Sequence, residues 1–269
     1  MMAFLIAPVV VSAQPSFTEV AEFSIPDAGQ GVGVDARFFY AVDDTAISKY
    51  EKKTGTLVKR WTQDKGGPII HLDGAMVRDG KIYAAHSNYP AWPMTSSLEI
   101  WDANTLEHIG SHSFGINWGS LTWVDFHDGF WWMVFANYDQ PIGPNRTPYG
   151  NKPATQLIKF TPDFRMLESW VLPKSILDKL ALMSNSGGSW GPDGFLYLTG
   201  HDLGEVYKVR LPSAGSTLEL VATIPASLRG QGIAWDRSDP GVLYGVVRAT
   251  PAERASGGDN KVVAFRLNP

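Results

Sequence analysis

Five times along the chain, a small residue opens an apolar strand, a tight turn follows, and the chain returns through a short apolar run ending in an aromatic anchor. The returns are Phe38-Phe39-Tyr40, Lys81-Ile82-Tyr83, Phe130-Trp131-Trp132, Phe195-Leu196-Tyr197 and Val242-Leu243-Tyr244, with anchors 43, 49, 65 and 47 residues apart. That interval is the length of one four-stranded sheet with variable loops, so the sequence describes a radial array of like sheets. The turns are Asp35-Ala36, Asp79-Gly80, Asp128-Gly129, Asp193-Gly194 and Pro240-Gly241, most of them dipeptides suited to tight hairpins. The small openings Gly31, Gly74, Ser120, Gly188 and Gly232 suit innermost strands, which crowd around an axis where a Cβ has little room.

Outer strand pairs follow at Ile47 to Trp61, Leu98 to His112, Gln156 to Trp170 and Glu205 to Ile224. The fifth sheet has only Lys261 to Leu267 before the chain stops, and the β-type segment Phe17 to Ile25 is left to complete it. Pairing the two chain ends closes the ring and hides an edge that would invite aggregation. The expectation is an all-β fold, a five-bladed β-propeller closed by an N-terminal strand. A six-bladed count would need another hairpin within residues 139–185, where Pro173 to Leu182 reads as helical.

Residues 1–13 are apolar and end in Val11-Ser12-Ala13, the form of a signal peptide, though no Lys or Arg precedes the apolar run. The expected organisation is therefore a signal segment at 1–13 and a single propeller domain at 14–269, secreted or periplasmic. The apolar run is too short to cross a bilayer, which takes roughly twenty residues. Asn145-Arg146-Thr147 is a formal glycosylation acceptor. A net charge of −4 without a Lys/Arg-rich run argues against a nucleic-acid partner, and the absence of cysteine excludes thiol chemistry.

Short turns fall on one face of the ring and long connections on the other, at residues 62–70, 87–97, 138–155, 172–186 and 249–260. Long loops at the mouth of a closed scaffold are where binding residues gather. Polar residues leading into the innermost strands there are Gln30, His71, Asp73, Asn185, Ser186 and Gln231. Those leaving the second strands are Asp43, Asp44, His86, Asn88, Asn137, Asp139, His201, Asp202 and Arg248. His108, His112 and His127 read as structural. His71, His86 and His201 could together hold a divalent metal ion with Asp73 or Asp202, although no short two-histidine spacing marks such a site. Alternatively, His86 and His201 transfer protons while Arg248 binds a substrate carboxylate, with Gln30, Asp73, Asn88, Asn185, Asp202 and Gln231 lining the pocket. Asp73, Asn88, Asn185 and Asp202 could offer oxygen ligands to calcium, but no Glu maps to the mouth. Ser186 and Ser189 lack the setting of a nucleophile elbow. Trp92, Trp118, Trp123 and Trp190 are candidate pocket walls, although the last two read better as packing between blades.

The stretches His86 to Pro90, Trp101 to Leu106, Ser184 to Gly194 and Thr199 to Asp202 resemble exported bacterial propellers described as cycloisomerases. The resemblance spans most of residues 30–248 and implies His and Arg chemistry at the mouth without a metal, with His86, His201 and Arg248 as the counterparts. In size and blade count the chain is also similar to five-bladed glutaminyl cyclases of plants and bacteria. That family carries an acidic residue beside Gly leading into an innermost strand, where this chain shows Gln30-Gly31-Val32 and Gln231-Gly232-Ile233. Three functions follow as expectations: an exported isomerase or lyase acting on a small anionic substrate, with either no cofactor or one divalent metal ion, a non-catalytic propeller binding a ligand or protein, and a metal-dependent hydrolase or lactonase using the three histidines.

Overall fold

A computed structural model describes residues 14–142, 147–148 and 152–268. Residues 1–13 of the expected signal segment, and Asn145 and Arg146 of the glycosylation tripeptide, lie outside the described residues. Five four-stranded antiparallel sheets form a five-bladed β-propeller. From the axis outward, blade one is Gly31–Val34, Phe38–Asp43, Ala46–Glu51 and Leu57–Thr62. Blade two is Leu72–Arg78, Lys81–Ser87, Ser96–Asp102 and His108–Gly115. Blade three is Ser120–His127, Phe130–Ala136, Gln156–Phe160 and Met166–Val171, and blade four is Gly187–Trp190, Leu196–Thr199, Glu205–Arg210 and Glu219–Pro225. Blade five is Ile233–Trp235, Val242–Val247 and Lys261–Asn268, and its outermost strand is the N-terminal Ser16–Ser24, paired antiparallel from Ser16↔Asn268 to Ser24↔Lys261.

The small residues at the axis have a geometric cause. A Cβ built on Gly31 would lie 3.0 Å from the Asp73 carbonyl and the Gly74 Cα, and one on Gly232 would lie 2.9 Å from the Gly31 Cα. Three blades thus touch backbone to backbone, at a separation that only glycine permits. Away from the axis, apolar side chains pack in the seams between neighbouring sheets. Tyr40, Val42, Ile82 and Trp101 pack between blades one and two, and Trp132, Trp170, Leu198 and Tyr207 between blades three and four.

The aromatic anchors hold the turns as well as the seams. The Tyr40 hydroxyl donates to Asp35 Oδ2 at 2.7 Å, and the Tyr197 hydroxyl to Asp193 Oδ2 at 2.8 Å, so an anchor and the acid of its own turn are one unit. At the short-turn end, Asp125 accepts from the Ser189 hydroxyl, the Trp190 N–H and Arg237, tying blades three, four and five together. The 172–186 connection holds a helix at Lys174–Leu177, shorter than the helical segment expected at Pro173 to Leu182.

Candidate functional site

On the long-loop face the axis opens into a cavity of about 200 Å³ lined by Gln30, His71, Asp73, Tyr89, Tyr138, Met183, Ser186, His201, Gln231 and Arg248. Residues as far apart in sequence as Gln30 and Arg248 meet there because each blade delivers the segment leading into its innermost strand, or leaving its second strand, to one rim. The approaches are stitched across blades: the Gly232 N–H donates to the Gln30 carbonyl at 2.8 Å, and the Thr199 hydroxyl to the Gln231 carbonyl at 2.6 Å.

One wall is a hydrogen-bonded relay. Asp44, in the tight turn after the second strand of blade one, accepts from His71 Nδ1 at 2.8 Å and from Gln30 Nε2 at 2.7 Å. With Nδ1 donating to a carboxylate, Nε2 is the ring nitrogen left for the cavity. It lies 3.8 Å from Asp73 Oδ2, a separation too long for a hydrogen bond. Asp73 is only 4% exposed, and its Oδ1 is buried with no hydrogen-bond partner among the described residues. Burial, partly offset by His71, pushes the Asp73 carboxyl up to about 8, so it holds its proton at neutral pH. Burial alone would depress His71, but the Asp44 hydrogen bond, the Asp73 charge wherever that carboxyl is ionised, and the Asp44 charge outweigh it and raise its pKa above the ordinary value. Burial likewise opposes ionisation of Asp44, and the His71 and Gln30 contacts overcome it and hold that carboxyl below its usual range.

The opposite wall is cationic. His201 Nδ1 contacts Asp202 Oδ1 at 2.6 Å, and its Nε2 faces Arg248 Nη1 at 3.3 Å. When Nδ1 donates to Asp202, Nε2 is free to accept from the guanidinium, which steadies Arg248 beside the cavity and leaves its other N–H groups for a ligand. Gln231, in a left-handed conformation at φ +77°, turns the chain under this wall.

Of the residues expected from sequence, the structure brings Gln30, His71, Asp73, Ser186, His201, Gln231 and Arg248 to the cavity, with Asp44 behind His71, whereas His86, Asn88, Asn185 and Asp202 do not line it. His86 is the main correction. Its Nε2 accepts the Ile70 N–H at 3.2 Å and its Nδ1 contacts Ser97 Oγ at 2.9 Å, so the ring is turned into the seam between blades one and two. The alternation of a strand decides this: His86 lies on the same face as Ile82 and Ala84, which pack against blade one. The expected set of three histidines is therefore not assembled, and among the described residues no group of three or more His, Asp or Glu side chains is placed to hold a metal ion. Asn88 is spent on its own loop, donating to the Pro93 carbonyl and accepting the Thr95 N–H. Asn185 accepts from Trp123 Nε1 at 2.6 Å and donates to the Gly187 and Thr199 carbonyls, which makes it a structural clamp beneath the cavity. Asp202 stands behind His201 and does not line the cavity.

The aromatic wall is Tyr89 and Tyr138; Trp123 and Trp190 are in the core between blades three and four, Trp118 packs on the core between blades two and three, and Trp92 is half-exposed on its loop. Asp44 is the contributor whose role sequence reasoning missed; its signal was the pair Asp43-Asp44 in a tight turn on the long-loop face. Asp73-Gly74 was missed in another sense, since it is an acid beside a glycine leading into an innermost strand, the pattern sought and not found at Gln30-Gly31 and Gln231-Gly232.

No protein-family model matches the chain, and no curated protein matches it by sequence. Among solved structures, the glutaminyl cyclase of Myxococcus xanthus superposes with a TM-score of 0.59 at 12% identity, covering 95% of this chain and 97% of that one. The PQQ-bound aldose sugar dehydrogenase of Streptomyces coelicolor superposes with a TM-score of 0.57 at 11% identity, covering 96% and 99%. At such identity the likeness is one of fold, and one fold hosts many chemistries.

Proposed function

We propose that the axial cavity is the active site of an exported isomerase or lyase that cyclises or opens a small anionic substrate by moving a proton within it. The observation that carries the reading is the Asp44–His71 pair, whose Nε2 faces a buried Asp73 across 3.8 Å, with the Asp73 Oδ1 lacking a hydrogen-bond partner among the described residues. A base oriented by a carboxylate, beside an acid kept neutral by burial, is the arrangement that proton relocation at neutral pH requires. In this reading His71 Nε2 removes a proton from the substrate, and Asp73 delivers its own to the atom that gains electron density when a ring closes or opens. Arg248, steadied by His201 and Asp202, binds the substrate carboxylate. A cavity of about 200 Å³ limits the substrate to a small molecule. His86 has no part in this chemistry.

The test is a turnover screen of unsaturated carboxylic acids and their lactones, with N-terminal glutaminyl peptides included because a glutaminyl cyclase shares the architecture. Asp73→Asn and His71→Ala are expected to lower kcat by about 10²-fold or more on any substrate found, the usual scale of a lost acid or base. Arg248→Met is expected to act chiefly on KM. His86→Ala is expected to leave both constants within about twofold, in contrast to those three. A screen without turnover would overturn the reading in favour of a propeller that only binds, and turnover indifferent to Asp73→Asn would overturn the acid–base pair on which it rests.

A further inference from the structure

The residue that follows each aromatic anchor pairs with a residue of the third strand, and these five partners occupy one structural position: Ser48, Glu99, Ile158, Tyr207 and Val263 in blades one to five. All five point into a seam and are buried. Blades three to five fill the position with apolar or aromatic bulk, whereas blade two places a glutamate there, 5% exposed. A carboxylate in a seam costs desolvation that the fold does not demand, as the other blades show.

Around Glu99 the seam is hollow. A cavity of about 510 Å³, separate from the axial one, is lined by Trp61, Gln63, Pro68 and Ile69 on the blade-one side and by His86, Ser97, Glu99, His108, Ser111 and Ser113 on the blade-two side. Small-ligand pockets fall in the range of about 300–1,000 Å³, so the volume suffices for a bound molecule. Glu99 Oε1 accepts from the Ser97 and Ser111 hydroxyls at 2.6 and 2.8 Å, and Oε2 contacts His108 Nε2 at 2.7 Å. His86 completes the arrangement. Its Nε2 accepts a backbone N–H, so its Nδ1 donates to Ser97, and Ser97 donates onward to Glu99. Proton donation runs from the imidazole toward the serine, which is the wrong direction for a nucleophile and fixes Ser97 as a recognition group.

We infer that this inter-blade cavity is a second ligand site, built for a neutral, hydroxyl-rich ring compound of monosaccharide or disaccharide size. Trp61, with Pro68 and Ile69, supplies an apolar wall for the face of a ring. The carboxylate and the serine oxygens retain lone pairs to accept ligand hydroxyls, and the Ser113 oxygen, which takes the Gly115 N–H at 3.2 Å, still has its own O–H to donate. Among the described residues no Lys or Arg lines the cavity, so they offer an anionic ligand no counter-charge there. The site is independent of the chemistry proposed at the axis.

Titration of the full chain with methyl glycosides of common hexoses and with a disaccharide, followed by tryptophan fluorescence and by ligand-observed NMR, tests the inference, with tetramethylammonium and a carboxylate sugar acid as controls. Saturable binding of at least one neutral glycoside is expected, weakened about tenfold or more by Trp61→Ala and by Ser113→Ala and unchanged by Asp73→Asn. Because Trp61 also packs on Trp101, Ser113→Ala serves as the variant that leaves the core intact. No binding of any neutral glycoside, binding that survives both cavity variants, or tighter binding of either charged control would overturn it.

Discussion

Asp73 links the stability of the fold to the proposed chemistry. Its pKa in the folded chain, about 8, lies above the ordinary 3.8, so between those values the folded protein holds a proton that the unfolded chain has lost. Stability therefore falls as pH rises through that window and levels off above it, the reverse of the usual carboxylate case. Asp73→Asn removes the titration. We expect its melting temperature to exceed that of the unsubstituted protein by a margin that grows between pH 5 and 8, as read by calorimetry across a pH series; a margin independent of pH would show that Asp73 ionises normally. Asn185 gives the contrasting case. Asn185→Ala leaves the buried Trp123 N–H without its acceptor and takes a donor from the Gly187 and Thr199 carbonyls, and a loss of about 1–3 kcal/mol is expected in urea unfolding. Both residues stand near the axis, yet one is expected to act on catalysis and the other on folding, because one has a lone oxygen and the other has every polar atom engaged.

The innermost strands can be tested through their glycines. A Cβ on Gly74 would lie 2.9 Å from the Trp123 Cβ and 3.0 Å from the Thr122 carbonyl, and neither neighbour is the free end of a flexible side chain. Gly74→Ala is expected to destabilise by roughly 1–3 kcal/mol, an overpacking cost, and to shift the adjoining Asp73. Gly80→Ala is the control of opposite kind: nothing lies within 4 Å of its Cβ, so its cost comes from the left-handed φ of +72° alone. Comparing the two by denaturant midpoints separates crowding at the axis from turn strain. These elements were the most legible part of the sequence, since turn dipeptides, strand periodicity and small residues at the axis are local signals.

For the molecule as a whole, closure of the ring depends on pairing between residues 16–24 and 261–268. Removal of residues 14–24 would expose the full length of the Lys261–Asn268 strand and part of the seam around Phe39 and Tyr244, against which Phe23 packs. We expect such a chain to associate through that edge and to unfold at lower temperature, measured by light scattering and thermal denaturation. A monomer of unchanged melting temperature would mean that the ring is held by its inner strands. Blade number and closure were both readable beforehand, because they follow from counting strands and pairing the two orphans.

What the sequence determined by itself was the array: five hairpins with aromatic anchors, the face that carries long loops, and the set of polar residues brought to its rim. Proximity to the rim follows from strand order, which is a property of the chain. Orientation does not, and the tertiary structure decided it. His71 and His86 lie fifteen residues apart on the same blade, yet one faces the axis and the other the seam, because a strand sends alternate side chains to opposite faces and the bulge between Leu72 and Ala75 sets the register between them. In the same way, only packing showed that Glu99 fills a position given elsewhere to Ile158, Tyr207 and Val263. Linear spacing places a residue at a depth and a rim, while neighbouring blades decide what its side chain meets.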